Sequence, residues 1–127
     1  DLARLDGDRL TLLGRKKDMF IRGSQNIYPG LYEPIIAGLP GVADVAMVGI
    51  PDAIGDDRIV LALVPEHGTP ADQLVARVRR ALPGLIDARV LPDAVVAVKD
   101  LPRSGRSRKL DRQALAVALA PFAKMGA

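Results

Sequence analysis

Cysteine and tryptophan are both absent from this chain of 127 residues. Without cysteine there is no disulfide framework, thiol nucleophile or thiolate metal site. The single histidine, His67, lies in the turn-like segment PEHGTP and is predicted to be exposed. One histidine does not make a metal cluster, so we predict no metal site. No apolar run approaches the ~18–20 residues of a bilayer span, and no signal peptide is visible.

Aromatic residues are also scarce, at 3% of the chain, although hydrophobic residues together make up 49%. This composition predicts one folded globular domain with a core of Val, Leu, Ile and Ala. The scarcity of aromatics argues against binding of single-stranded nucleic acid, which normally uses aromatic stacking platforms.

The apolar pattern predicts an α+β fold: an N-terminal β-hairpin, then a small, mostly three-stranded sheet covered by helices. The hairpin is predicted around DGD at 6–8. Buried strands are predicted at 44–50, 58–66 and 94–101. Helices are predicted over LYEPIIAGL, ADQLVARVRRAL and RQALAVALAPF. For the second helix, Thr69 is the predicted N-cap and Pro70 the first helical residue.

Positive charge is concentrated rather than large, since the net charge is only +3. Lys and Arg cluster at 15–17, 77–80 and 103–112. Such clusters favour anionic partners, which include phosphates, carboxylates and nucleic acid. A solvated basic surface is an equally good interpretation of the clusters alone.

The most basic segment, LPRSGRSRKLDRQAL at 101–115, places Lys109 beside Arg106 and Arg108. A lysine there can bind a phosphate or carboxylate, or stabilise negative charge that develops during acyl or phosphoryl transfer. Leu110 is predicted to pack and Asp111 to cap the following helix, which would anchor the end of the loop.

Two other segments carry candidate chemistry. GRKKDMFIRGSQNIYP at 14–29 is a charged strand entry followed by small and polar residues, which permit close approach of a ligand. VGIPDAIGDDRIV at 48–60 surrounds an acidic loop, which we interpret as turn chemistry rather than a metal site.

In this order, the three segments resemble the C-terminal portion of the adenylate-forming enzymes, which include acyl-CoA synthetases, nonribosomal-peptide adenylation domains and luciferases. The resemblance covers about residues 1–119. GRKKDMFIRGSQNIYP is similar to the family's hinge motif, GVADVAMVGIPD to its next core block, and LPRSGRSRKLDR to its terminal lysine motif.

The resemblance implies part of a ligase that forms an acyl-adenylate from ATP and a carboxylic acid and then transfers the acyl group to CoA or to a carrier-protein pantetheine. ATP and Mg²⁺ would be bound mainly by a large N-terminal domain, and the chain alone would be inactive. Residues 1–16 would form the hairpin and the junction to that domain, 17–120 the mobile C-terminal domain, and 121–127 a tail. The location would be cytoplasmic, with no nucleic-acid partner.

The resemblance also implies roles for residues in the N-terminal half. Asp1 and Arg15 match positions that contact the nucleotide ribose, and Lys17 matches the hinge. The segment that faces the pantetheine tunnel in the family corresponds to Gly23, Ser24, Gln25 and Asn26.

Lys109 matches the lysine that bridges the substrate carboxylate and the ATP phosphate during adenylation. Counted from Pro102, however, Arg108 occupies that position, because this chain has one extra residue in the loop. We favour Lys109, because the match to the downstream LDR has no gap and loops tolerate insertions. Arg108 also stands where the family usually has glycine.

Two alternatives remain open. One is a stand-alone basic α+β module that binds RNA or another polyanion. The other is a catalytically altered regulatory relative, which the arginine in place of glycine before Lys109 would fit.

Overall fold

The computed structural model describes residues 2–6, 9–14, 19–51, 57–105 and 109–125. The strands are β1 Leu2–Asp6, β2 Arg9–Gly14, β3 Phe20–Arg22, β4 Gln25–Ile27, β5 Val42–Pro51, β6 Asp57–Pro65, β7 Ala94–Ala97, β8 Arg103–Ser104 and β9 Lys109–Leu110. The α-helices are α1 Glu33–Ala37, α2 Ala71–Ala81 and α3 Arg112–Met125. Short 3₁₀ segments lie at Pro29–Leu31, Leu82–Gly84 and Ala88–Val90.

The predicted α+β class, the N-terminal hairpin and the three-stranded mixed sheet are confirmed. β1 and β2 form an antiparallel pair. In the sheet, β6 is central, with β5 antiparallel on one side and β7 parallel on the other. The sheet edge-to-edge order β5-β6-β7 requires a crossover between β6 and β7, and α2 supplies it.

Both faces of the sheet are buried, because successive side chains of β5 and β6 point to opposite faces. On one face, Met47, Ile59, Leu61 and Leu63 of the strands pack against α1 and α2, which contribute Ile36, Leu74 and Val78. On the other face, Ala46, Val48, Val60 and Ala62 pack against α3, which contributes Leu115 and Leu119. The strands therefore read as continuous apolar runs rather than as alternating ones.

Several predicted boundaries differ from those of the structure, including the start of α2 and the end of β7. α2 begins at Ala71, and its N-cap is Pro70, which has extended backbone and makes no side-chain capping bond. Thr69 does not cap because it lies one residue too early, and its methyl group is directed at Gly41. β7 ends at Ala97 rather than at 101, although the Val98 N–H still donates to the Leu63 carbonyl oxygen at 2.8 Å.

His67 is exposed in a turn, as predicted. α3 continues to Met125, past the predicted end at Phe122, with Pro121 inside the helix. None of the helices in the described ranges has the length and apolar composition that a membrane span requires.

Candidate functional site

The basic segment, for which the sequence predicts an anchored loop, contains a small hairpin. β8 pairs antiparallel with β9, with Arg103 opposite Leu110 and Ser104 opposite Lys109. Gly105 has a φ of +75°, a conformation that glycine adopts readily. The Lys109 side chain is exposed. Arg106, Ser107 and Arg108 lie outside the described residues.

The strand that carries Lys109 is joined to α3 by a capped junction. Leu110 packs against the core under α3, as predicted. The Asp111 N–H donates to the Pro102 carbonyl oxygen at 2.8 Å, and Asp111 Oδ1 accepts from the Ala114 N–H at 3.0 Å. That second bond is the predicted N-cap, since it satisfies an N–H of the first helical turn.

An ion pair that the sequence does not predict lies directly behind this junction. The Arg112 guanidinium donates to both carboxylate oxygens of Glu33, each at 2.8 Å, and to the Met47 carbonyl oxygen at 2.9 Å. Glu33 Oε2 also accepts from the Met47 N–H at 2.7 Å. The pair therefore joins the beginnings of α1 and α3 to the middle of β5.

A more exposed ion pair holds the other strand of this hairpin. Arg103 pairs with Asp44 on β5, and both side chains are more than one-third exposed. Asp44 Oδ1 also accepts from the Val45 N–H at 2.9 Å. Exposed pairs of this kind contribute little to stability, about 0–1 kcal/mol. Arg112 and Glu33 are thus the more deeply buried anchor.

The Gly-Ser-Gln-Asn segment forms a second hairpin, which was also missed. β3 and β4 pair antiparallel, with Arg22 opposite Gln25 across a two-residue turn. Gly23 and Ser24 have φ values of +57° and +64°. Positive φ at both central residues is what a type I′ turn requires, and such turns match the twist of the strands. The Gln25 and Asn26 side chains are exposed.

Arg22 anchors this second hairpin. Its guanidinium donates to the Leu91 carbonyl oxygen and to Asp93 Oδ1, the latter at 3.2 Å. Asp93 Oδ2 accepts from the Ile59 N–H of β6 at 2.8 Å. Arg22 is 29% exposed and Asp93 21%, so solvent screens this pair only in part.

The base of the same hairpin lies on the central sheet. The Ile21 N–H donates to Asp57 Oδ2 at 2.8 Å, which gives one carboxylate of the acidic loop a structural role. Asp52 and Asp56 lie outside the described residues. Phe20 is buried against Gly49 of β5, where an added Cβ would stand 2.5 Å from Phe20 Cβ. Only glycine leaves room for this contact.

A shallow cavity of about 310 Å³ opens beside the Gly23 turn. It is lined by Arg22, Gly23, Gln25, Ala88 and Arg89. At its edge, Arg89 pairs with Asp87 at 2.9 Å. Hydrogen bonds from the Arg89 side chain and backbone N–H lower the pKa of Asp87 to about 2. The edge of the cavity therefore carries an exposed charged pair.

The structure describes five of the candidate residues: Lys109 and the four residues from Gly23 to Asn26. They lie on two separate hairpins rather than in one site. Asp1, Arg15, Lys17 and Arg108 lie outside the described residues. Sequence reasoning missed Glu33, Arg22 and Asp93 as anchors, because their partners are distant along the chain. Arg112 at least lies within the recognised segment LPRSGRSRKLDR.

Comparisons with known proteins give a consistent result. The model of the AMP-binding enzyme C-terminal domain family matches residues 32–109, which is more than half of the chain. An indoleacetate–CoA ligase from Aromatoleum aromaticum is 38% identical over 114 residues, covering 87% of this chain and 22% of the relative. A 4-chlorobenzoate–CoA ligase from Pseudomonas sp. is 35% identical, covering 82% of this chain and 20% of the relative.

Solved structures agree with these matches. ATP-bound MatB from Rhodopseudomonas palustris superposes with a TM-score of 0.79 at 28% identity, covering 97% of this chain and 24% of that protein. This chain thus spans roughly a fifth to a quarter of the length of the proteins it resembles.

Proposed function

Because the chain belongs to the AMP-binding enzyme C-terminal domain family, we propose that it is the mobile domain of an ATP-dependent carboxylate-activating ligase. In the first half-reaction, a carboxylate oxygen attacks the α-phosphorus of ATP and pyrophosphate leaves. In the second, a thiol attacks the carbonyl carbon of the acyl-adenylate and AMP leaves. The acceptor thiol belongs to CoA or to pantetheine on a carrier protein.

The observation that carries this proposal is the presence of two supported hairpins, each with a candidate functional segment. Lys109 is exposed on one, next to a capped helix start and a largely buried ion pair. The carboxylate and the α-phosphate are both anionic and repel each other. An ammonium group placed between them offsets that repulsion and stabilises the charge that develops during transfer. Because contacts with the core hold this hairpin, the Lys109 ammonium group returns to the same position in each catalytic cycle.

The Gly23–Asn26 segment is proposed to serve the thioester half-reaction. Gly23 has no side chain and an added Cβ would meet nothing within 4 Å, so a slender ligand can approach the backbone there. The cavity beside the turn, lined by Arg22, Gly23, Gln25, Ala88 and Arg89, provides a concave surface for part of the acceptor. These properties support a pantetheine arm, which is thin and carries amide groups.

The remaining roles are proposed from the family pattern. Asp1 and Arg15 would contact the nucleotide ribose, and Lys17 would act as the hinge. A large N-terminal domain would supply most of the carboxylic acid, ATP and Mg²⁺ sites. Among the described residues, no group of three or more His, Asp or Glu side chains could hold a metal ion. The cytoplasmic location stays a prediction.

The test is carboxylate-dependent ATP–pyrophosphate exchange by the complete enzyme, followed by acyl transfer to CoA and, separately, to a pantetheine-bearing carrier protein. We expect exchange with at least one member of a broad carboxylate panel, and transfer to one of the two thiols. Absence of exchange with every carboxylate would contradict the proposal. Salt-dependent RNA binding in its place would favour the polyanion-binding alternative, to which the relatives described above give no support.

A further inference from the structure

The two hairpins are anchored by ion pairs of the same construction. In each, an arginine donates to a carboxylate and to a backbone carbonyl oxygen, while the carboxylate accepts a backbone N–H from the central sheet. The Arg22 cluster consists of Arg22, Asp93, the Ile59 N–H and the Leu91 carbonyl. The Arg112 cluster consists of Arg112, Glu33 and the N–H and carbonyl of Met47.

Both clusters are largely shielded from water. Arg22 and Asp93 are 29% and 21% exposed, and Arg112 and Glu33 are 20% and 14% exposed. The planar guanidinium fork fixes direction as well as charge, and a lysine ammonium does not reproduce that geometry. Each cluster is therefore suited to hold a hairpin in one orientation.

Their positions relative to the candidate functional residues also correspond. Arg22 directly precedes Gly23, at the turn of β3 and β4. Arg112 follows Lys109 by three residues and is the first residue of α3, two positions after the end of β9. The Arg22 cluster connects its hairpin to β6, whereas the Arg112 cluster connects its hairpin to β5 and α1.

We propose, on the basis of the function proposed above, that the two clusters contain separate positioning residues for the two half-reactions. The Arg112 cluster orients Lys109 for adenylation. The Arg22 cluster orients the Gly23 turn for acyl transfer. Neither arginine touches a reacting atom in this scheme, and each acts through the hairpin that it holds. A displacement of about 1 Å at a positioned group can reduce a rate by about 100-fold.

A purely structural role predicts a different pattern. If the clusters only stabilised the domain, their loss would lower both half-reactions together, in proportion to the fraction of unfolded enzyme. If each cluster instead positions one hairpin, its loss would slow only one half-reaction, in enzyme that remains folded. The two clusters are consequently matched controls for each other.

The experiment uses the complete enzyme with Arg112→Ala, Arg112→Lys, Arg22→Ala and Arg22→Lys, and Arg80→Lys on the exposed face of α2 as a control. Single-turnover formation of acyl-adenylate is measured in one assay, and thioester formation from supplied acyl-adenylate in another. We expect Arg112→Ala to slow only the first and Arg22→Ala only the second, each by about 10- to 100-fold. Lysine should restore part of each rate, because charge returns without the fork.

Amide hydrogen exchange supplies a readout that does not depend on turnover. Arg112→Lys should raise exchange within 109–115 and leave 20–27 unchanged, and Arg22→Lys should do the reverse. If an alanine variant does not fold, the lysine variant and Glu33→Gln or Asp93→Asn decide the question in the same assays.

Equal loss of both half-reactions in the folded variants would overturn the inference, and so would unchanged rates in both. If the wild-type enzyme lacks both half-reactions but the lysine variants show the expected local changes in amide exchange, the proposed function would instead be overturned, and the assignment of half-reactions with it. These results are distinguishable, because the exchange pattern reports on anchoring alone.

Discussion

The β3–β4 hairpin and the β8–β9 hairpin each carry a candidate functional segment, but they are held in place by different contacts. The first has three paired residues in each strand, buries Phe20 and Ile27, and turns through two residues with positive φ. The second has only two paired residues in each strand, and neither Ser104 nor Lys109 is buried. A two-stranded hairpin is marginal in water by itself, so the shorter one depends more on its outside contacts. The Gly23 turn is shaped mainly by its own backbone, whereas Lys109 is placed mainly by tertiary contacts.

The largest expected effect comes from removing the cation on the shorter hairpin. Lys109→Ala in the complete enzyme should slow acyl-adenylate formation by about 100- to 1000-fold, because one preorganised charge-stabilising group is lost. Thioester formation from supplied acyl-adenylate should be nearly unchanged. Pyrophosphate exchange and single-turnover transfer measure the two rates.

Arg108→Ala is the matched control for that substitution, since it removes an adjacent cation. It should have a small effect on adenylation. Loss of ATP–pyrophosphate exchange in Arg108→Ala but not in Lys109→Ala would assign the catalytic role to Arg108. If Lys109→Ala slowed both half-reactions equally, that result would contradict the assignment of Lys109 to adenylation.

The next effect concerns the base of the longer hairpin. Gly49→Ala should lower the free energy of unfolding by about 1–3 kcal/mol, because the new Cβ would overlap Phe20 and displace β3. Urea denaturation of the chain measures this change. Gly84→Ala serves as the control, because an added Cβ there meets nothing within 4 Å. Equal stability of the two variants would show that Phe20 can move without cost.

A smaller effect is expected at the turn itself. Gly23→Ala should destabilise the chain by about 1–2 kcal/mol, since alanine disfavours the left-handed backbone at φ +57°. There is space for the methyl group, so the cost is one of backbone conformation. Asparagine tolerates this region better, and Gly23→Asn should lose less. Identical losses in thermal unfolding would exclude backbone conformation as the reason for glycine.

The smallest expected effect is a pH dependence of stability that comes from Asp87, at the edge of the cavity beside that turn. The pKa of Asp87 is lowered from 3.8 to about 2, mainly by its hydrogen bond with the Arg89 side chain. A lowered pKa in the folded state means that this contribution to stability is complete above about pH 4 and is lost as the pH falls toward 2. An NMR titration of the Asp87 carboxyl should give the lowered value, and Arg89→Ala should return it toward 3.8.

Local sequence patterns were sufficient for most of the elements. The aliphatic runs at 44–50 and 58–66 predicted β5 and β6 because long buried strands need little besides apolar, β-branched residues. Asp111 was identified as a cap because the cap bonds to an N–H only three residues away. In contrast, no local pattern predicts the Gly23–Ser24 turn, since a serine with positive φ is uncommon and has no clear sequence signal.

The sequence by itself determined the α+β class and the membership of the family, because these depend on composition, short periodicity and motif order. The same motifs are the source of the residues proposed to carry the chemistry, which stay a prediction. Only the tertiary structure decided what holds those residues in place. Glu33 and Arg112 are 79 positions apart, and Arg22 and Asp93 are 71 apart. Pairs so distant meet only when the sheet brings their elements together, and no local pattern in the chain marks one as the partner of the other.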